Sequence, residues 1–341
     1  MLISFDNAAG RRAAASPPAP ASRPRPARPE SPADADPRAA ELCEGLLRRS
    51  ARIDPKFLYD AQGCVLFSAI CELDEYYPTR TEREIFRSQR EAIAQALPDP
   101  LQWVDLGCGD CAKSRDWLSH VGARRYLGVD IAAEWVTGAV ASLGAQHPGI
   151  ECVAVGADFT AGFDIRDRLG DVQALPPVLF YPGSSIGNFA PDVAVPMLAG
   201  FRRHLGPHGR LLISADLRKD TAVMKRAYAD ALGVTAAFNR NVLRVCNRLT
   251  GSDFRPENFL HQARFDEARS CIEMRLVAGS RQFVRIGGQL RVFEEGEAIV
   301  TEHSYKYTPE RFGALLDEAG FSSHRMWTDP HGWFGVFLAQ P

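Results

Sequence analysis

Long apolar runs are missing from this chain of 341 residues, and their absence excludes a membrane-spanning helix. An excess of one charge is missing too. Forty Lys and Arg stand against 42 Asp and Glu, so the net charge of -2 gives no general pull toward nucleic acid or an anionic membrane surface. Cysteine is present, eight times, but without the dense spacing of a disulfide scaffold. Scattered through a chain this size, these residues read as reduced thiols and point to the cytoplasm. Cys108 and Cys111 form a C-x-x-C, yet no second C-x-x-C, nor a His pair at the usual interval, completes a zinc site, so no metal is expected.

What is there begins with an Ala/Pro/Arg-rich segment, residues 1–37, which cannot bury a core and reads as a disordered tail. Acidic residues from Glu30 onward argue against a targeting leader. Helical spacing follows over 39–53, and a capping box at Thr81 and Glu84 predicts a helix to about Leu97. The tyrosine-bearing turns around Tyr59 and Tyr76 read equally as a lid over a small ligand or as an ordinary helical cap.

The organising stretch is Val104-Asp105-Leu106-Gly107-Cys108-Gly109-Asp110, a short buried strand running into a glycine turn, with a helix from Lys113 to Ser119. Glycines there let the backbone turn and approach a ligand closely. The next strand ends in Asp130, about 20 residues on, where such folds bind a ribose hydroxyl. Strands at 150–155, 178–181 and 210–216 alternate with helices at 133–143 and 193–205, which predicts a doubly wound parallel α/β sheet. The alternation then breaks. Residues 219–248 read as helix, and 270–277, 282–292 and 298–306 as strands. A helix at 311–319 and strands at 324–327 and 335–338 close the chain.

Two cofactors compete for the glycine turn. Gly107-x-Gly109-x-x-Ala112 satisfies a loose dinucleotide fingerprint. Against it, Asp105 just before the turn would repel a pyrophosphate and suit the cationic end of S-adenosylmethionine. The closing helix and two adjacent strands also suit a class I methyltransferase sheet. On that reading Gly107 and Gly109 cradle the cofactor, Lys113 pairs with a carboxylate, Asp130 meets the ribose, and Asp158 and Phe159 meet the adenine edge and face.

Tyr59-Asp60-x-x-Gly63-x-x-Leu66-Phe67, Glu75-Tyr76-Tyr77-Pro78-Thr79-Arg80-Thr81-Glu82 and Gly183-Ser184-Ser185-Ile186-Gly187-Asn188 carry a more specific signal. So do Ala227-Tyr228, Gly233 to Asn239, Ile272-Glu273-Met274 and Thr301-Glu302-x-Ser304-x-Lys306. In these stretches the chain resembles the ergothioneine-pathway L-histidine Nα-methyltransferases over about residues 40–340. The resemblance implies a Rossmann-like domain (99–217 with 307–341), a helical N-terminal part (38–98) and an inserted substrate domain (218–306). It implies S-adenosylmethionine as cofactor and three methylations of the histidine α-amine, giving hercynine, by a monomer with no nucleic-acid or membrane partner. Asn188 and Tyr228 would hold the substrate carboxylate, and Tyr59 with the Gly183 backbone would lie by the amine. Tyr76, Glu302 and Ser304 would surround the imidazole, with Met274 beside it. Cys64, Asp74 and Cys108 depart from the family's pattern, and Cys108 stands where it could crowd the cofactor. The other readings kept open are a methyltransferase of another amino acid or small amine, and a non-catalytic binder of the same cofactor.

Overall fold

The computed structural model describes residues 36–131, 133–159 and 164–341, so the predicted tail lies almost wholly outside the described residues. Four helices come first: α1 Pro37–Leu47, α2 Ala61–Cys71, α3 Tyr77–Ser88 and α4 Arg90–Ala94. The expected helix over 39–53 stops at Leu47, because the chain then leaves to pair with a strand edge. The Val300 N–H donates to the Ala51 carbonyl at 3.0 Å, and the Ile53 N–H to the Val300 carbonyl at 2.8 Å. The helix expected from Thr81 begins instead at Tyr77. Pro78 fits its first turn, where no N–H is needed, and Thr81 Oγ1 donates back to the Tyr77 carbonyl at 2.9 Å rather than capping.

Next come β1 Leu101–Leu106, α5 Ala112–Leu118, β2 Ala123–Asp130, α6 Ala133–Gln146, β3 Glu151–Gly156, β4 Pro177–Tyr181, α7 Pro191–Arg202 and β5 Arg210–Asp216. The predicted helix over 219–248 is two, α8 Thr221–Ala227 and α9 Val234–Thr250, parted at Gly233 (φ 74°). Then follow β6 Phe259–Asp266, β7 Cys271–Ala278, β8 Gln282–Ile286, β9 Gln289–Phe293, β10 Ala298–Tyr305, α10 Pro309–Glu318, β11 Ser323–Thr328 and β12 Phe334–Gln340. The single strand expected at 282–292 is the β8–β9 hairpin, turned by Gly287 and Gly288 at positive φ. β6 was not expected, since only Phe259 along it is fully buried and its alternation is mostly polar.

The large sheet has seven strands in the order β3-β2-β1-β4-β5-β12-β11. Neighbours from β3 to β5 are parallel, and β12 is antiparallel to both its partners. This is the Rossmann-like methyltransferase sheet. β1 is buried along its whole length, with Val104 and Leu106 in one core layer and Trp103 in the other. Between β1 and β4 the connections reverse direction, which opens a crevice at the strands' C-terminal ends. A second, antiparallel sheet, β10-β7-β6, shares a core with α1, α2 and α9.

One irregularity matters for the site. Val300 pairs with Arg275 and Glu302 with Met274, so Thr301 is an extra residue bulged out of the β10–β7 register. Ile299, on the core side before the bulge, is followed after it by Glu302 and Ser304 on that same side. Without the bulge, strict alternation would have turned Glu302 and Ser304 away.

Candidate active site

The end of the crevice where the cofactor is expected is built from backbone turns at strand ends. Gly107 and Gly109 have φ of 72° and 53°, and a Cβ added at Gly109 would meet nothing within 4 Å, so the turn is open there. Asp130 Oδ2 accepts the Gly109 N–H at 3.1 Å. The Phe159 ring lies 3.9 Å from where a Gly107 Cβ would stand, edge-on to Tyr181 and Phe201. Asp158 faces Lys56 Nζ at 3.9 Å. An open glycine turn, a carboxylate at the end of β2 and an apolar ring with an acid beside it fit the ribose and adenine of S-adenosylmethionine.

Asp105 does not serve as expected. It is buried and accepts hydrogen bonds from Ser114 Oγ at 2.6 Å and Tyr126 Oη at 3.1 Å. Burial pushes its carboxyl up to about 6, while the two hydroxyls oppose the shift. It ties α5 to β1 and β2 instead of standing open at the turn. Cys108 turns beneath the loop toward Gly128 and leaves the turn uncrowded. Both C-x-x-C thiols are free, and among the described residues no cluster of three His, Cys, Asp or Glu could hold a metal.

Between the two ends stands Glu82, buried in the first half of α3. Oε2 accepts from Lys113 Nζ at 2.5 Å. Oε1 accepts from the Gly183 N–H at 2.6 Å and from Ser214 Oγ at 2.5 Å. The carboxylate that Lys113 finds is thus the protein's own. The Gly183 N–H is likewise used inside the protein, which leaves its carbonyl as the group it can offer an amine.

The other end, where the substrate is expected, is made of side chains. Asp60 caps α2 through the Gly63 N–H at 2.9 Å and is gripped by α9 through Asn241 Nδ2 at 2.7 Å and Arg248 at 3.0 Å. That fixes Tyr59, whose ring packs edge-on to Phe67 and Phe238. Tyr76 packs between Phe67 and Tyr228. His261 Nε2 donates to the Tyr228 carbonyl at 2.8 Å and holds the end of α8. Tyr228 Oη, Ser304 Oγ and Lys306 Nζ stand within 2.8 Å of one another. Behind them Asp216, at the end of β5, receives Lys306 at 2.7 Å, Tyr77 Oη at 2.7 Å and Lys219. Paired with two ammonium groups, the Asp216 carboxyl is held below the usual range despite burial. At Lys219 burial, helped by the Lys306 charge, outweighs Asp216, and the pKa falls to about 8.

Glu302 differs. It is buried on β10, makes no side-chain hydrogen bond among the described residues, and is pushed up to about 7 by burial, with the Lys306 charge opposing. Its charge in turn helps raise the phenols of Tyr59, Tyr76 and Tyr228, so these four groups share one space. Met274 is Glu302's cross-strand partner and is almost wholly buried. Asn188 ends a 3-10 turn after β4, half-buried, with its amide in no hydrogen bond among the described residues. The left-handed residues of that loop are Gly183 and Ser184, not Asn188. Sequence reasoning quoted Tyr77, Glu82 and Lys306 within motifs but gave them no role, and it passed over Asp216 and Ser214.

A family model described as histidine-specific methyltransferase, SAM-dependent, matches residues 38–341. The chain is 42% identical over 318 residues to a histidine N-alpha-methyltransferase of Mycolicibacterium smegmatis, covering 88% of this chain and 97% of that protein. It is 39% identical over 307 residues to the Mycobacterium tuberculosis protein of the same name, covering 88% and 93%. Ergothioneine biosynthesis protein 1 of Neurospora crassa is 28% identical over 289 residues, 80% of this chain and 31% of that longer protein.

Proposed function

Because the chain belongs to the S-adenosylmethionine-dependent, histidine-specific methyltransferase family, we propose that it methylates the α-amino group of L-histidine three times, giving hercynine for ergothioneine synthesis. The observation that carries the substrate is Glu302, a buried carboxylate with no side-chain hydrogen bond among the described residues, whose charge is felt by the neighbouring phenols of Tyr76 and Tyr228. Such a group is costly to leave unpaired, so it favours a side chain that brings an N–H over an alkyl or phenyl one.

The bound cofactor supplies an electrophilic methyl group on a sulfonium. The chain's own residues have to deliver a neutral amine in line with it, at about 3–3.5 Å. We assign Asn188 and Tyr228 to the substrate carboxylate, since an amide and a phenol are suitable donors. Tyr59 and the Gly183 carbonyl orient the amine, Tyr76, Glu302 and Ser304 take the imidazole, and Met274 backs the ring. Gly107, Gly109, Asp130, Asp158 and Phe159 hold the cofactor, with Lys113 at its edge. The working parts follow the two sheets: residues 99–217 with 307–341 serve mainly the cofactor, and 38–98 with 218–306 the substrate, to which Gly183 and Asn188 reach across from the first part. The enzyme acts as a cytoplasmic monomer on a single small amino acid.

Incubation with S-adenosylmethionine and each amino acid singly, read by mass spectrometry, tests this. Histidine alone should gain up to three methyl groups, and equal methylation of phenylalanine would refute the assignment.

A further inference from the structure

The reading above leaves Lys306 without a task, yet its side chain is fully enclosed and all its hydrogen bonds are accounted for. An ammonium has three hydrogens. Three acceptors surround this one: Asp216 Oδ2 at 2.7 Å, Ser304 Oγ at 2.7 Å and Tyr228 Oη at 2.8 Å. The two hydroxyls are also 2.8 Å from each other. Each carries one hydrogen, and only one hydrogen fits on the line between them. The other must point out of the cluster. If Ser304 donates to Tyr228, the phenol oxygen accepts twice, from Lys306 and Ser304, and its own hydrogen is aimed outward. Ser304 is then left with a lone pair and no hydrogen to give. The reverse order would aim the weaker donor outward.

We propose that Lys306, anchored by Asp216, is a positioning residue that fixes Tyr228 as a hydrogen-bond donor to the substrate carboxylate and Ser304 as an acceptor for the side chain. This rests on the histidine reading, in which the same two residues meet those two groups. Without the ammonium, each hydroxyl is free to turn and act as donor or acceptor, and the selection for a carboxylate is lost. Lys306→Met keeps the length and volume of the side chain, and Asp216 retains Lys219 and Tyr77.

The test is calorimetric binding of histidine and of histidinamide, which lacks the carboxylate, with S-adenosylhomocysteine bound. Wild type should prefer histidine. In Lys306→Met that preference should fall by about tenfold or more, while S-adenosylhomocysteine affinity moves less than about twofold. Tyr228→Phe should lower the preference by about tenfold in the wild-type background, leaving the share due to Asn188, and change it little in Lys306→Met. A full Tyr228→Phe effect in the Lys306→Met background would overturn the proposal, because a merely structural lysine leaves the two effects additive. Should Lys306→Met fail to fold, Ser304→Ala, which leaves the ion pair whole, decides the matter. It should weaken histidine and histidinamide by the same factor. Loss of the preference for histidine would show that donor and acceptor are assigned the wrong way round. A wild type that does not bind histidine at all refutes the functional reading, separately from the role of Lys306.

Discussion

The two ends of the crevice are made by different means. At the cofactor end the parts lie close together in the chain: the 107–109 turn, Asp130 at the next strand end and Phe159 after the third. Backbone conformation does most of the work, and side chains add one carboxylate and one ring. At the substrate end the decisive contacts join residues far apart. Tyr77 reaches Asp216 across 139 residues, Ser214 reaches Glu82 across 132, and Lys306 reaches Tyr228 across 78. A site built from local turns tolerates change in its surroundings, whereas a site built from remote side chains depends on the whole fold being in register.

Glu82 is where the two constructions meet, and its loss should have the largest effect. Glu82→Ala leaves the Gly183 N–H and the Ser214 hydroxyl without their acceptor and frees Lys113. The expected cost is about 2–4 kcal/mol of stability, with binding of both ligands impaired, checked by denaturant melts and calorimetry. If only one ligand is affected, the two ends are more independent than their shared carboxylate implies.

The next tests separate the ends. Asp130→Ala should weaken S-adenosylhomocysteine by about 1.5–3 kcal/mol, roughly 10- to 150-fold, with little change in melting temperature. An unchanged affinity would remove Asp130 from the cofactor site. Glu302→Ala should weaken histidine by a similar amount and phenylalanine hardly at all, whereas Asn188→Ala should weaken both alike. Equal losses of histidine and phenylalanine in Glu302→Ala, measured by competition, would show that Glu302 does not read the side chain.

The most local test is a pH slope that a single group, Glu302, should impose. Burial pushes the Glu302 carboxyl up to about 7 from an ordinary 4.5. Between those values the folded state keeps a proton that the unfolded chain has released, so this group's contribution to stability falls as pH rises through the window. The ligand-free protein should therefore lose melting temperature from pH 4.5 to 7 relative to Glu302→Gln. Histidine binding should strengthen through pH 7 as the carboxylate forms, by no more than about tenfold per pH unit, and Glu302→Gln should lack that component. A parallel profile in the two proteins would mean that another group governs binding.

The same contrast explains what could be read from the sequence. Strand–turn–helix order, the glycine turn and Asp130 are encoded within short windows, so the sheet and the turn that meets Asp130 were legible. The residues proposed for the substrate could be named only through a resemblance spread over several motifs, because nothing local to Tyr228 or Glu302 marks it as facing a ligand. Asp105 was misjudged for a related reason. Its position in the strand was clear, but the face it takes is set by Ser114 and Tyr126, which pack against it in the folded sheet. Glu82 and Lys306 were seen but not understood, since their partners lie in other segments.

The bulge at Thr301 has a consequence for how the chain can change length. Glu302, Ser304 and Lys306 share a side with Ile299 only because one residue stands outside the alternation. Thr301 is therefore the position in β10 where a deletion keeps the polar row inward, and a deletion of His303 turns Ser304 and Lys306 over while leaving Glu302 in place. Histidine binding retained by the first shortened protein and lost by the second, with S-adenosylhomocysteine binding kept in both, would mark this strand as one that admits a change of length at a single point.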